Sequence, residues 1–294
     1  MKEFSGLGTA LVTPFFPDGT IDYEAYKMSV KRQADAGVDF LVALGTTAET
    51  PCLADEEKIR LLECTREVYK GKLVVGIGTN SLQGVFRNMK KLEDKGADAW
   101  LVVTPYYNKP MQNGLFRFYS AIASQSTLPV ILYNVPGRTG VNMEPETVAE
   151  LSKIRNIIGL KEANPDHKQC KRVKELVGDE FVLLSGNDDK WIELAEMGYD
   201  GLISVVSNII PEKMVELGQN ISNKDFEKAR SLNNILQPLF KTCFSESNPI
   251  PVKAALSLLG ICNAEMRLPL TEASNETKRL LAEAIKMIKE RTHL

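Results

Sequence analysis

One feature limits what this chain can fold into more than any other. Short apolar runs rich in Val, Ile and Leu recur along it, each followed by a polar turn and then a stretch of 3.6-residue periodicity. The runs are 8–14 (GTALVTP), 39–45 (DFLVALG), 73–79 (LVVGIGT), 99–105 (AWLVVTP), 129–135 (PVILYNV), 157–163 (IIGLKEA), 181–187 (FVLLSGN) and 201–207 (GLISVVS). Strands that are apolar throughout are buried on both faces, as in a parallel sheet covered by helices and joined by right-handed crossovers. Eight such units most simply close into an α/β fold of the (β/α)8 TIM-barrel type, which takes about 250 residues. The repeat ends near residue 218, so the expected organisation is a barrel over 1–218 and a C-terminal helical extension over 219–294, packed on the barrel. Within that extension 225–244 and 276–291 carry apolar residues at helical spacing. Helix boundaries are expected at Asp55, Ser81, Gly96 and Pro145. A doubly wound open sheet is the alternative, but no G-x-G-x-x-G opens a helix and no Walker A pattern is present.

Composition works mainly by exclusion. With 36 basic and 38 acidic residues the formal net charge is −2, which gives no general field for nucleic acid or an anionic membrane. No segment approaches the roughly 20 consecutive apolar residues of a spanning helix, and the first residues do not read as a signal peptide. A cytoplasmic enzyme is expected. The five cysteines contain no C-x-x-C pair, and their odd number argues against a disulfide framework. Histidine is limited to His167 and His293, too few for a zinc cluster or a histidine-centred triad. Neither metal nor cofactor is expected, and the chemistry falls to lysine, tyrosine, hydroxyls and carboxylates.

Active sites of such barrels lie at the C-terminal ends of the strands. There the sequence offers GTTAET (45–50), TPYYNKP (104–110), YNVPGRTG (133–140), LKEAN (160–164) and SGNDD (185–189). Lys161 shares a strand face with Ile157 and Gly159, the glycine leaving room for its side chain. An ordinary strand lysine would pair with Glu162 or reach to water. A lysine late in a doubly buried strand must instead be paired or neutral. Desolvation lowers a lysine pKa from about 10.4 and so supplies the free amine that attacks a carbonyl to form an imine. Tyr133, at the end of the fifth run, is either a proton carrier or an aromatic plug at the rim. Tyr106, Tyr107, Thr46 and Thr47 could extend a hydroxyl relay, and Thr47 with its amides could hold a carboxylate. Arg138 suits bidentate carboxylate binding, although a loop arginine is often only a surface charge.

GTTAE, TPYYN, YNVPGRTG, GLKEA, FVLLSGND, GLISV and NPIPVK together resemble, in order and spacing, the dihydrodipicolinate synthase branch of the pyruvate-dependent class I aldolases, over about residues 4–292. The resemblance implies that Lys161 binds pyruvate as an imine and that Tyr133 moves protons, linked through Thr46 to Tyr107. Thr47, Gly186 and Ile203 would line the pyruvate site, and Arg138 would hold the carboxylate of L-aspartate 4-semialdehyde. The product would be 4-hydroxy-tetrahydrodipicolinate, on the route to diaminopimelate and lysine. In the family the tyrosine matching Tyr107 enters from a neighbouring subunit, which implies a homo-oligomer, a dimer usually paired into a tetramer.

Two departures stand out. The usual GTTGE is GTTAE here, placing Ala48 where close approach would favour glycine. Lys58 and Gly84 replace a histidine and a glutamate that help hold feedback lysine in inhibited members, while Asn80 and Tyr106 are retained, so weak lysine sensitivity is expected. The competing functions are a sister aldolase acting on sugar acids, disfavoured by the R-T-G after YNVPG, and a non-catalytic barrel, disfavoured by the presence of both Lys161 and Tyr133.

Overall fold

All eight apolar runs form strands in the computed structural model, which describes residues 2–292; His293 lies outside them. The strands are β1 (Gly6–Ala10), β2 (Phe40–Ala43), β3 (Lys72–Gly76), β4 (Ala99–Val103), β5 (Val130–Asn134), β6 (Ile157–Glu162), β7 (Val182–Ser185) and β8 (Gly201–Ser204). They neighbour one another in chain order and close into a barrel. Pairing is parallel from β3 through to β8. Each strand ends before its apolar run does, because the last residues of the runs leave the ladder to build turns. Leu44 adopts a left-handed φ of 54° directly after β2, and short 3-10 turns follow at Thr46–Ala48, Asp188–Lys190 and Val206–Asn208. Apolar character alone does not mark where pairing stops.

Packing divides the chain into two compact units, one formed by the residues up to Gly8 with Lys72–Ile203, the other by Thr9–Gly71 with the chain from Ser204 onward. In the first unit β3 to β7 alternate along the chain with the helices Leu82–Leu92, Gln112–Gln125, Pro145–Leu151 and His167–Leu176. Trp100, Val102, Tyr119, Leu132 and Leu160 are fully or almost fully buried there. Burial of each such side chain stabilises the fold by about 1.5–3 kcal/mol. The Tyr119 hydroxyl donates to the Val102 carbonyl at 3.0 Å, so its polar end is satisfied inside the core.

The second unit holds the helices Tyr23–Ala36, Asp55–Val68 and Pro211–Ser222, followed by Phe226–Cys243, Ile250–Leu258 and Asn275–Thr292. Helices thus occupy the chain after the eighth strand, including 250–258, whose NPIPVK start had no helical signature beyond its proline near N1. Boundary chemistry explains where helices begin. Ser81 accepts from the Gly84 amide at 3.0 Å, and Pro145 opens its helix. Asp55 is the first residue of its helix rather than the cap. Ala54 takes the cap position, where Glu57 reaches back to accept the Ala54 amide at 2.8 Å. Alanine has no side-chain acceptor, so only that half of a capping box exists. Among the described residues no helix is long and apolar enough to cross a membrane.

Candidate active site

The predicted site residues fall on both units. Lys161, Tyr133, Arg138, Tyr107, Gly186 and Ile203 belong to the first, Thr46 and Thr47 to the second.

In the first unit β5 and β6 lie in register with Tyr133 opposite Lys161 and Asn134 opposite Glu162. Lys161 is only 6% exposed, and its Nζ stands 4.5 Å from the centre of the Tyr133 ring. Among the described residues no carboxylate is within ion-pair distance of it. Burial lowers its pKa to about 8; the negative charge of Asp188 opposes the shift, and the positive charge of Arg138 adds to it. At pH 7 about a tenth of such an amine is neutral, against roughly one part in three thousand at the ordinary value. A buried amine with no bonded counter-ion beside a phenol is equipped to attack a carbonyl carbon and to pass protons.

The ordinary alternative for this lysine, a pair with Glu162, is not what forms. Strand alternation points Glu162 to the opposite face, where its carboxyl accepts from the Asn164 amide at 2.8 Å, from Asn134 at 3.0 and 3.2 Å and from Gln169 at 3.2 Å. Gly159 is required for a different reason from the room expected beside Lys161: a Cβ there would sit 2.6 Å from the Val182 carbonyl oxygen across the β6–β7 ladder. Gly186 is constrained in the same way, since a Cβ on it would come within 2.7 Å of the Ala163 Cβ. Its amide donates to the Glu162 carbonyl at 2.7 Å, so it fits closely against the end of the strand that carries Lys161. Ile203 is fully buried on β8.

Arg138 is exposed in the one-turn helix Pro136–Thr139 after β5. Gly140 closes the turn at a φ of 69°, and Thr139 is buried with its hydroxyl on the Val135 and Val141 carbonyls. Tyr107 differs from the other predicted site residues in its left-handed backbone. It is 88% exposed after β4 and has a φ of 74°, with Lys109 also left-handed at 44°. Left-handed backbone at two non-glycine residues within three is costly and occurs mostly where function requires it.

In the second unit Thr46 and Thr47 form a 3-10 turn with Ala48 directly after β2. Thr46 is exposed and Thr47 buried, the Thr47 hydroxyl accepting from the Asn248 amide at 2.9 Å. Glu49 ends the turn with a φ of 54°. Its Oε1 accepts from Lys253 Nζ at 2.8 Å and its Oε2 from the Arg267 amide at 3.1 Å. Both side chains of the Glu49–Lys253 pair are fully buried. Lys253 lies 4.2 Å and the Arg267 guanidinium 4.6 Å from the centre of the Phe15 ring. The C-terminal segment therefore anchors the turn that carries both threonines. Asn248, Glu49 and Lys253 went unassigned by sequence reasoning although GTTAE and NPIPVK contain them. Charged residues flanked by apolar ones in two separate motifs were the available signal. Among the described residues no group of acidic, histidine and cysteine side chains could hold a metal ion.

The profile of the Dihydrodipicolinate synthetase family matches residues 3–288. The 4-hydroxy-tetrahydrodipicolinate synthase of Thermotoga neapolitana is 48% identical over 284 residues, covering 95% of this chain and 96% of its own. The crystal structure of dihydrodipicolinate synthase from Thermotoga maritima superposes with a TM-score of 0.95 at 45% identity, covering 97% of this chain and 98% of that one. A dihydrodipicolinate synthase variant described as the first monomeric one gives the same TM-score and identity, with 97% of both chains covered.

Proposed function

The chain belongs to the dihydrodipicolinate synthetase family, and from that membership we propose that Lys161 is its imine-forming nucleophile and Tyr133 its proton carrier. The enzyme condenses pyruvate with L-aspartate 4-semialdehyde to 4-hydroxy-tetrahydrodipicolinate in the diaminopimelate and lysine pathway. The observation that carries the assignment is the Lys161 amine, buried without a bonded counter-ion 4.5 Å from the Tyr133 ring and titrating near 8.

The neutral amine adds to the pyruvate keto carbon, water leaves with that oxygen, and a protonated imine results. Loss of a methyl proton gives the enamine, whose terminal carbon forms the new bond to the semialdehyde carbonyl carbon while the aldehyde oxygen takes a proton. The semialdehyde amino group then adds to the imine carbon, closing the ring as the bond from that carbon to the Lys161 nitrogen breaks, which releases the cyclic imine product and frees the lysine amine. These steps are linked by proton transfers, and the ladder position of Tyr133 opposite Lys161 supports it as their carrier. Family resemblance assigns Thr46 and Tyr107 to the relay, Thr47, Gly186 and Ile203 to the pyruvate site, and Arg138 to the semialdehyde carboxylate. Arg138 has the planar donor fork for that task.

The exposed, left-handed Tyr107, with Met111 81% exposed nearby, supports a second copy of the chain as its cover. A dimer of dimers follows from the family pattern, and a monomeric relative makes the solution mass the quantity to measure. We read 1–218 as the barrel and 219–294 as its helical extension, and place the enzyme in the cytoplasm with its soluble substrates. Weak lysine sensitivity fits Gly84, where any side chain would meet Thr79 Oγ1 at 2.7 Å. Inhibition by sub-millimolar lysine would reject that point. The central test is to incubate the protein with pyruvate, reduce with borohydride and map the added mass. An adduct on Lys161 supports the mechanism, and an adduct elsewhere or none overturns it. Turnover with aspartate semialdehyde but not with N-acetylneuraminate separates this enzyme from the sister aldolases.

A further inference from the structure

Tyr133 and Lys161 can act together only if the ends of β5 and β6 stay in register, and each is followed by a residue facing the other way. Those next residues, Asn134 and Glu162, are both fully buried and directly opposite each other in the ladder. The Asn134 amide donates to both carboxyl oxygens of Glu162, at 3.0 and 3.2 Å. We propose that Asn134 and Glu162 are a positioning pair, a side-chain tie on the outer face of β5 and β6 that holds the Tyr133 ring against the Lys161 amine on the inner face.

Three features separate this pair from an ordinary buried contact. First, backbone bonds continue on either side of it, Thr104 N–H donating to the Tyr133 carbonyl and Ala163 N–H to the Asn134 carbonyl, both at 2.9 Å, so a shift of Asn134 is transmitted to Tyr133. Second, the rest of the Asn134 side chain is also committed: its Oδ1 accepts the Met143 amide at 3.0 Å, and its Nδ2 also donates to Asn142 Oδ1 at 2.9 Å. Third, Asn164 and Gln169 supply further donors to the carboxyl, and both also donate to Asn142 Oδ1, at 3.0 and 3.1 Å. The network therefore converges on one carboxyl, and Asn134 to Glu162 is its direct side-chain link between the two site strands, with Asn142 and Gln169 forming a longer route around it. Burial raises the Glu162 pKa to about 7 against the lowering effect of these donors. The titratable neighbours coupled to it are Cys170 and Tyr199, both raised by burial and so neutral near pH 7.

The inference rests on Lys161 and Tyr133 being the reacting pair, and the test separates the two claims. Wild type, Asn134→Ala and Asn134→Asp are compared for folding by circular dichroism, for kcat and KM, and for the rate of borohydride-trapped pyruvate on Lys161. A misplacement of about 1 Å costs on the order of 100-fold in rate, so folded Asn134→Ala should lose about 10- to 100-fold in kcat and trapping rate, with KM for pyruvate changed less than threefold. Asn134→Asp keeps the shape but sets a carboxyl against a carboxyl. Its kcat relative to wild type should rise as pH falls from 8 to 6, where the two can share a proton. A folded Asn134→Ala with wild-type trapping rate and kcat overturns the positioning role, as does an Asn134→Asp ratio that does not move with pH. If Asn134→Ala fails to fold, the Asn134→Asp ratio decides alone. Absence of trapping at Lys161 in the wild type overturns both claims, whereas trapping in the wild type with unaffected variants overturns only this one.

Discussion

Two lysines are buried among the described residues, and they differ in company. Lys253 is fully buried with Glu49 at 2.8 Å and an aromatic ring at 4.2 Å. Lys161 is 6% exposed, has a ring at 4.5 Å, and lacks a carboxylate at bonding distance. Desolvation is the first cause lowering the pKa of both, but only Lys253 has a hydrogen-bonded anion to offset it. The paired cation is a structural tie between a turn and a helix more than two hundred residues later. The unpaired one has part of its population neutral and therefore reactive. Burial alone does not set a lysine apart for chemistry; burial without a bonded anion is the feature that supports the role proposed for Lys161.

The largest effect should come from removing the proposed nucleophile. Lys161→Ala is expected to lose on the order of a thousandfold or more in kcat, with borohydride trapping abolished and the fold intact by circular dichroism. The two lysines should then respond to methionine with opposite signs in a denaturant titration. Lys253→Met leaves Glu49 buried with only the Arg267 amide and should destabilise by about 3–5 kcal/mol. Lys161→Met should stabilise at pH 7 by up to about 3 kcal/mol, because it removes a cation whose folded pKa is depressed. In the wild type that cost is fully present below pH 8 and is removed as pH rises from the folded value near 8 to the unfolded value of 10.5. The advantage of Lys161→Met should fade over the same interval, and equal signs for the two variants would end the contrast. A smaller but direct reading is the initial rate of imine formation, which should rise with pH to a half-maximum near 8 rather than near 10.5. A rate flat between pH 7 and 9 would show that Lys161 does not enter as the free amine.

The same contrast explains what the sequence showed and what it hid. The eight strands were legible because each is a contiguous apolar run bounded by turns, and strand starts agree within two residues. Lys161 was legible because one cation interrupts such a run. Its freedom from Glu162 follows from period-two alternation, though the Asn134, Asn164 and Gln169 donors that occupy Glu162 do not. Strand ends were overrun because Leu44 and Val206 remain apolar while their backbone turns away. Lys253 lies within NPIPVK with no local sign of its role, since its partner is 204 residues distant and no local period connects them. The Asn248 bond to Thr47, across 201 residues, was hidden for the same reason. Helical spacing identified the helices Phe226–Cys243 and Asn275–Thr292, yet the anchoring groups Asn248, Lys253 and Arg267 lie in and around the helix between them.

The smallest expected effect concerns Ala48, which the sequence set apart because glycine is usual there. Ala48 sits inside the 3-10 turn, its amide on the Gly45 carbonyl at 3.1 Å and its own carbonyl accepting the Thr13 hydroxyl at 2.8 Å. The left-handed residue is the next one, Glu49, held by Lys253. A glycine at 48 would thus gain no needed conformation and would only widen the unfolded ensemble. Ala48→Gly should cost about 0.5–1 kcal/mol of stability and leave kcat and KM within about twofold of wild type. A tenfold change in the KM for pyruvate would mean that the methyl at 48 itself shapes the site. In that case the Glu49–Lys253 pair would not be what sets the turn, and the line drawn between a structural and a reactive lysine would have to include the residue between Thr47 and Glu49.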